Sequence, residues 1–262
     1  MDKELEAVVK VQNLYTRFGE AVIHKDISFD IHRGEIFAII GGSGSGKSTL
    51  LREIAMLNSP SSGTIQVFGK SLQDLHEKEI LRLRTRFAMM FQKGALFSSF
   101  TVLENIALPL KEHTDLSSKF INELALQKIE LVGLPRDAAV KFPRELSGGM
   151  IKRAAVARSL ALDPELLLLD EPGSGLDPVS ASALDDLILS LRESLNLTVV
   201  LVTHDLGSLW RIADRVAFLG EKILLGLDTV VNLAHSDESQ LRAYFRGERG
   251  HLAYQENTWI QK

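Results

Sequence analysis

Apolar and polar positions along this chain change period several times, and each change predicts an element. Val8 to Leu14, Ile27 to Ile31 and Glu35 to Ile40 are short apolar or alternating runs, punctuated at Gly19 and Arg33-Gly34, so the chain opens in strands. Leu50 to Leu57 switches to helical spacing, Pro60 and Gly63 end it, and Thr64 to Phe68 reads as another strand. From about Ser71 to Leu160 the pattern is helical and more polar. Within it, Leu116 to Val132 is an amphipathic helix stopped by Gly133-Leu134-Pro135, and a second helix runs from near Gly149 to Leu160. Leu166 to Leu169 is wholly apolar and Leu197 to Val202 nearly so, both strand-sized, the pattern of parallel strands buried on both faces. Between them Pro178 to Leu195 reads as a helix with Pro in its first turn. A short helix is predicted after His204 through Asp214, then a hairpin of Val216 to Leu219 and Lys222 to Leu227. The polar and aromatic tail from about Ser236 carries no clear pattern. Strands alternating with helices predict an α/β fold around a parallel sheet, with the helical middle as an insertion.

Composition narrows the function without naming it. Among 262 residues, Lys+Arg 30 against Asp+Glu 34 gives a net charge of −4, so no nucleic-acid partner is expected. The absence of cysteine excludes disulfides, thiolate metal sites and cysteine nucleophiles. Met1 to Glu6 has neither the basic nor the apolar region of a signal peptide, and no apolar run approaches the ~20 residues of a membrane span. Work at a membrane would need a partner.

The chemistry begins at Gly41-Gly42-Ser43-Gly44-Ser45-Gly46-Lys47-Ser48-Thr49, which fits G-x-x-x-x-G-K-[ST] between a strand and a helix, the context that gives the pattern meaning. Glycines let the main chain approach a phosphate, its N–H groups converge on the oxygens, and the helix N-terminus adds its dipole. Lys47 supplies a point charge and Ser48 a hydroxyl for Mg²⁺. Asp170 and Glu171 end the run of leucines. Behind a phosphate loop, such an acidic pair can divide the work: Asp170 holds Mg²⁺ through water, and Glu171 orients or deprotonates an attacking water. A lone Asp-Glu before Pro172 would otherwise read as a helix cap. His204 ends the next buried strand, at the edge where such sheets bind ligands, and gains weight only from that company.

Leu146-Ser147-Gly148-Gly149-Met150 and the following Lys152 to Arg158 resemble the signature of ABC-type ATPases. Walker A at Lys47, a loop glutamine at Gln92, the signature at Ser147, Walker B at Asp170-Glu171, a D-loop at Ser174 to Asp177 and a switch histidine at His204 stand in the family's order. The resemblance implies a P-loop NTPase core with a parallel sheet, an N-terminal antiparallel β-subdomain and an inserted helical subdomain at about 93–162. The nucleotide-binding domain would span 1–235, followed by a tail at 236–262. It implies ATP with Mg²⁺, and a homodimer in which each nucleotide lies between one copy's phosphate loop and Ser147-Gly148-Gly149 of the other. Those residues start a helix, which suits a γ-phosphate. It also implies that Gln92 senses the metal and the γ-phosphate, and that Phe18 or Tyr15 stacks on adenine. Met150 and Gly175 depart from the usual Gln and Ala, away from the phosphate-binding groups.

A narrower resemblance lies in Phe91 to Phe97 and Asn105 to Thr114, which look like the ATPase subunits of Mce-type lipid transport systems that maintain outer-membrane lipid asymmetry. It implies a peripheral subunit on the cytoplasmic face of the inner membrane, docked on an integral permease near Gly94-Ala95-Leu96-Phe97, with a STAS-domain partner and an Mce-type lipid-binding protein. Tyr244, Phe245, Tyr254 and Trp259 of the tail are candidates for contact with a neighbouring subunit. The rivals are another ABC importer, a soluble ABC ATPase and a small-molecule kinase. The short stretch between Lys47 and Ser147 lacks sustained heptads, against DNA-repair members, and a kinase would leave the signature and His204 unexplained.

Overall fold

The computed structural model describes residues 6–71 and 74–246. The chain opens with β1 (Ala7–Phe18) and β2 (Ala21–His32), an antiparallel hairpin, then β3 (Ile36–Gly41) and α1 (Lys47–Ile54). Next come β4 (Ser62–Val67), β5 (Lys70–Ser71), α2 (Glu77–Arg84) and β6 (Phe87–Met90). The helices α3 (Val102–His113), α4 (Ser118–Leu131) and α5 (Gly148–Ser159) lead to β7 (Leu166–Asp170). The remainder is α6 (Pro178–Leu195), β8 (Thr198–Val202), α7 (Leu206–Ile212), β9 (Arg215–Gly220), β10 (Ile223–Asp228), α8 (Val230–Ala234) and α9 (Ser239–Arg246).

These strands form two sheets. An antiparallel sheet runs β2-β1-β4-β5, and a larger one runs β10-β9-β3-β8-β7-β6, parallel except for β10 at one edge. The parallel strands are buried because both faces are covered. On β7, Leu167 and Leu169 join one apolar cluster with α3 to α6, while Leu166 and Leu168 join another with α1 and the antiparallel sheet. Val199 and Leu201 of β8 divide from Val200 and Val202 in the same way.

Two differences from the sequence reading bear on function. The stretch from Ser71 to Leu160 is not uniformly helical: β6 lies within it and pairs in parallel with β7, Phe87 opposite Leu166 and Met90 opposite Leu169. A strand of only four residues at a sheet edge is too short to declare a period. The tail after Ser236 contributes α9, whose Leu241 and Phe245 bury against Leu209 and Phe218 of the same chain, with Tyr244 edge-on to Phe218. Tyr254 and Trp259 lie outside the described residues. Among those described, no helix is long and apolar enough to cross a membrane.

Local signals account for the helix starts. Thr101 and Glu104 form a capping box at α3, Ser117 caps α4, and Asp177 caps α6 ahead of Pro178. Leu168→Ala, which empties space at a fully buried position of β7, is expected to cost about 2–5 kcal/mol. A denaturation midpoint matching the wild type would contradict that packing.

Candidate active site

The order of strands in the large sheet assembles the site. Chain leaves the C-terminal ends of β3, β8, β7 and β6 in that spatial order. The same edge therefore presents, in sequence, the phosphate loop, His204, Asp170-Glu171 and Gln92. Residues far apart in the chain become neighbours because their strands do.

At β3, Gly41 turns with φ 144°, followed by Gly44 at 76° and Gly46 at 93°. A Cβ on Gly41 would stand 2.1 Å from the carbonyl oxygen of Leu219, so only glycine lets the loop pass the neighbouring strand. Gly46 caps α1, and the first bond within that helix runs from the Leu50 amide to the Gly46 carbonyl at 2.9 Å. The amides at the start of α1 thus have no partner within the helix and are available to an anion. A cleft of about 460 Å³ lies over them, lined by Gly41, Ser43, Gly44, Gly46, Lys47, Ser48 and Thr49, with Ile23, Glu171 and His204. The Lys47 ammonium donates to the carbonyls of Gly41 at 3.0 Å and Gly42 at 2.8 Å. Burial lowers its pKa, against the opposing pull of Glu171 and Asp170. The hydroxyl of Ser45, within the loop, is buried.

Asp170 and Glu171 diverge. The Ser48 hydroxyl donates to Asp170 Oδ1 at 2.9 Å. Glu171 adopts φ 48°, an unusual conformation for a non-glycine residue, and its carboxylate turns the other way. One oxygen accepts from the Gln92 amide at 2.8 Å and the other lies 3.2 Å from His204 Nδ1. The Gln92 amide also reaches the Ser174 hydroxyl at 3.3 Å. Ser48 and Asp170 offer two hard oxygens side by side, a set suited to a small divalent cation.

Ser147, Gly148 and Gly149 are not among the residues lining this cleft. They begin α5, where the Ser147 hydroxyl accepts from the Met150 amide at 3.3 Å. Neither Phe18 nor Tyr15 lines it either. Phe18 is 53% exposed at the end of β1, and Tyr15 is half-buried on the β4 side, opposite Ser62.

Sequence reading missed two contributors. Ile23 reads as an ordinary strand residue, yet it walls the cleft. Lys152 enters the sequence reading only as part of the signature run, but it is buried and its ammonium donates to the Gln92 carbonyl. Burial lowers its pKa too, with Glu171 opposing. Nothing in the local sequence distinguishes it from its neighbours.

A glycine loop with its lysine, and facing it a carboxylate pair at the end of the next-but-one strand, define a nucleoside-triphosphate hydrolase. A family model described as ABC transporter matches residues 24–174. The intermembrane phospholipid transport system ATP-binding protein MlaF of Haemophilus influenzae is 39% identical over 241 residues, covering 92% of this chain and 91% of the relative. The probable ribonucleotide transport ATP-binding protein mkl of Mycobacterium leprae is also 39% identical, over 92% of this chain and 69% of the relative. A solved dimeric structure of the ATP-binding cassette MJ0796, bound to ADP and Pi after hydrolysis, superposes with a TM-score of 0.76. It is 32% identical and covers 84% of this chain and 98% of its own. The chain belongs to the ABC transporter family, as an ATP-binding and ATP-hydrolysing member.

Glu171→Gln is expected to retain ATP binding and to lower kcat at least a hundredfold, since the amide cannot take a proton from water. Single-turnover hydrolysis at the wild-type rate would remove Glu171 from that role.

Proposed function

We propose that this chain is the ATPase of a transporter that moves phospholipid between the inner and outer membranes and so maintains lipid asymmetry. The observation that carries the reading is the likeness to phospholipid transport ATPases along nearly the whole chain, MlaF of Haemophilus influenzae and of Escherichia coli K12 among them. The mycobacterial relative named for ribonucleotide transport is as similar, so another ABC importer is the competing reading.

In this account residues 1–235 form the nucleotide-binding domain, about 93–162 its helical subdomain, and 236–262 a tail. The phosphates of ATP rest on the loop amides and the start of α1. Lys47 turns from its loop carbonyls to the β- and γ-phosphates, and Ser48, Asp170 and Gln92 would hold Mg²⁺. Bound there, the metal would offset the negative charge of the phosphates. Glu171 aims the attacking water, and His204 contacts the γ-phosphate. Phe18, exposed beside the β2 strand that carries Ile23, stacks on adenine.

The position of Ser147-Gly148-Gly149 outside the cleft supports a head-to-tail homodimer, in which the amides at the start of α5 in a second copy close over the γ-phosphate. Hydrolysis removes that contact and the pair opens, because closure depends on contacts made to ATP and lost with ADP.

A membrane permease is the second partner, and the surface after Gln92 supports a docking role. Buried Asn105 accepts from the Phe97 amide at 2.7 Å and donates to the carbonyls of Phe97, Phe100 and Thr101. Arg158 holds the carbonyls of Gly94 and Ala95. The loop is thus fixed while Phe97 stays half exposed, and Arg158, which holds the loop, also lines a hollow of about 160 Å³ with Phe87, Met89, Pro109 and Leu162. A fixed loop with an apolar projection suits the short cytoplasmic helix of a permease. The complex would sit on the cytoplasmic face of the inner membrane with a STAS-domain partner and an Mce-type lipid-binding protein.

Tagged chain drawn from detergent-solubilised membranes is expected to bring a multi-span permease and bound phospholipid. An ATPase rate stimulated by ribonucleosides and indifferent to phospholipid would overturn the lipid assignment. In the Glu171→Gln background, Ser147→Arg is expected to abolish ATP-induced dimerisation by size-exclusion chromatography while single-copy ATP binding persists. A dimer as stable as before would refute the head-to-tail arrangement.

A further inference from the structure

Behind the phosphate loop lies a buried polar cluster that the hydrolytic chemistry does not use. His24 on β2, Glu53 on α1 and Thr16 on β1 are 0%, 2% and 1% exposed. Thr16 and His24 face each other across the hairpin. The Thr16 hydroxyl donates to Glu53 Oε1 at 2.7 Å, His24 Nδ1 lies 3.4 Å from Glu53 Oε2, and His24 Nε2 lies 3.2 Å from the carbonyl oxygen of Gly46.

The hydrogens of this cluster can be assigned by elimination. A carbonyl oxygen only accepts, so His24 Nε2 carries a proton and donates to Gly46. The Thr16 hydrogen is spent on Oε1. His24 Nδ1 and Glu53 Oε2 face each other at 3.4 Å, both buried and neither in a hydrogen bond of good geometry. The polar groups are thus arranged along a single line, from Thr16 through Glu53 and His24 to Gly46.

A buried polar pair adds little stability over apolar side chains of the same volume, so packing alone does not account for it. Its target does. Gly46 sits at φ 93° as the cap of α1, and its carbonyl already accepts the Leu50 amide. A Cβ there would stand 2.3 Å from His24 Nε2, so the imidazole rests against the bare α-carbon as well. The next residue is Lys47, and Ile23, adjacent to His24, walls the nucleotide cleft.

We propose that His24, braced by Glu53 and Thr16, is a positioning residue that holds the Gly46 carbonyl and so fixes the phosphate loop in the conformation that receives nucleotide. It touches no reacting atom. Its effect therefore falls on nucleotide affinity, with ATP and ADP alike, and leaves the hydrolytic step in place.

The test uses the full chain, with ATP and ADP dissociation constants, KM, kcat and melting temperature measured together. His24→Phe is expected to raise both dissociation constants and KM about tenfold, near the upper end for a lost hydrogen bond to a main-chain carbonyl, with kcat within about threefold. The double variant His24→Phe/Glu53→Met replaces the whole pair by apolar groups. It should melt near the wild type and show the same loss of affinity, which separates loop positioning from folding. Glu53→Gln should keep wild-type affinity, because its amide can donate to Nδ1 while its oxygen still accepts from Thr16. A folded double variant that binds nucleotide as the wild type does would overturn the proposal. So would a fall in kcat at unchanged KM. Lys47→Ala serves as the control: undiminished ATP binding there would overturn the phosphate-loop assignment itself, and this inference with it.

Discussion

The constraint on which the molecule depends is the turn that the main chain makes between β3 and α1. Three glycines, Gly41, Gly44 and Gly46, adopt positive φ there, two of them where a side chain would strike the Leu219 carbonyl or the His24 ring. That path leaves the first amides of α1 pointing into a cleft instead of into a neighbouring element. An anion is favoured there because unsatisfied donors and the helix dipole act at the same place. The other candidate catalytic groups matter through their distance from this turn, and the sheet sets those distances.

Sheet order is also what separates the legible part of this chain from the rest. The apolar runs of β7 and β8 announce strands buried on two faces, and the glycine loop, the acidic pair and His204 can be named from their flanks. Their side-by-side arrangement cannot, because it requires β8 to lie between β3 and β7. Gln92 could be named only by resemblance, since the strand that carries it, β6, is too short and too peripheral to show a period. His24, Glu53 and the buried contact of Lys152 were illegible for a different reason. A charged residue in a strand or helix reads as solvent-facing, and only packing against a second element reveals that it is buried. α9 escaped because its eight residues mix polar and aromatic positions, and its apolar side is defined by β9 and α7.

The polar network runs continuously from the cleft toward the helical face. Glu171 is gripped by Gln92 from one side and approached by His204 from the other, while Lys152 of α5 holds the main chain of Gln92. Two residues on, Arg158 and Asn105 fix the loop that carries Phe97. A change at the Glu171 carboxylate is therefore linked by direct contacts, through Gln92, to a surface suited to a partner. Ser147 caps the same helix α5, so one element carries both the amides proposed to act in trans and the anchor of this loop.

The strand β7 has one further consequence. Its alternate leucines belong to separate apolar clusters, one beneath the helices and one beneath the antiparallel sheet, and its last residue is Asp170. It is a party wall between two rooms. A cavity opened on the helical side would let this wall lean, and the displacement would reach the carboxylate at its end. Substitutions far from any nucleotide, in residues such as Leu167 or Leu169, would then change enzymatic behaviour as well as thermal tolerance, and a purely stability-based reading of such variants would misattribute their phenotype.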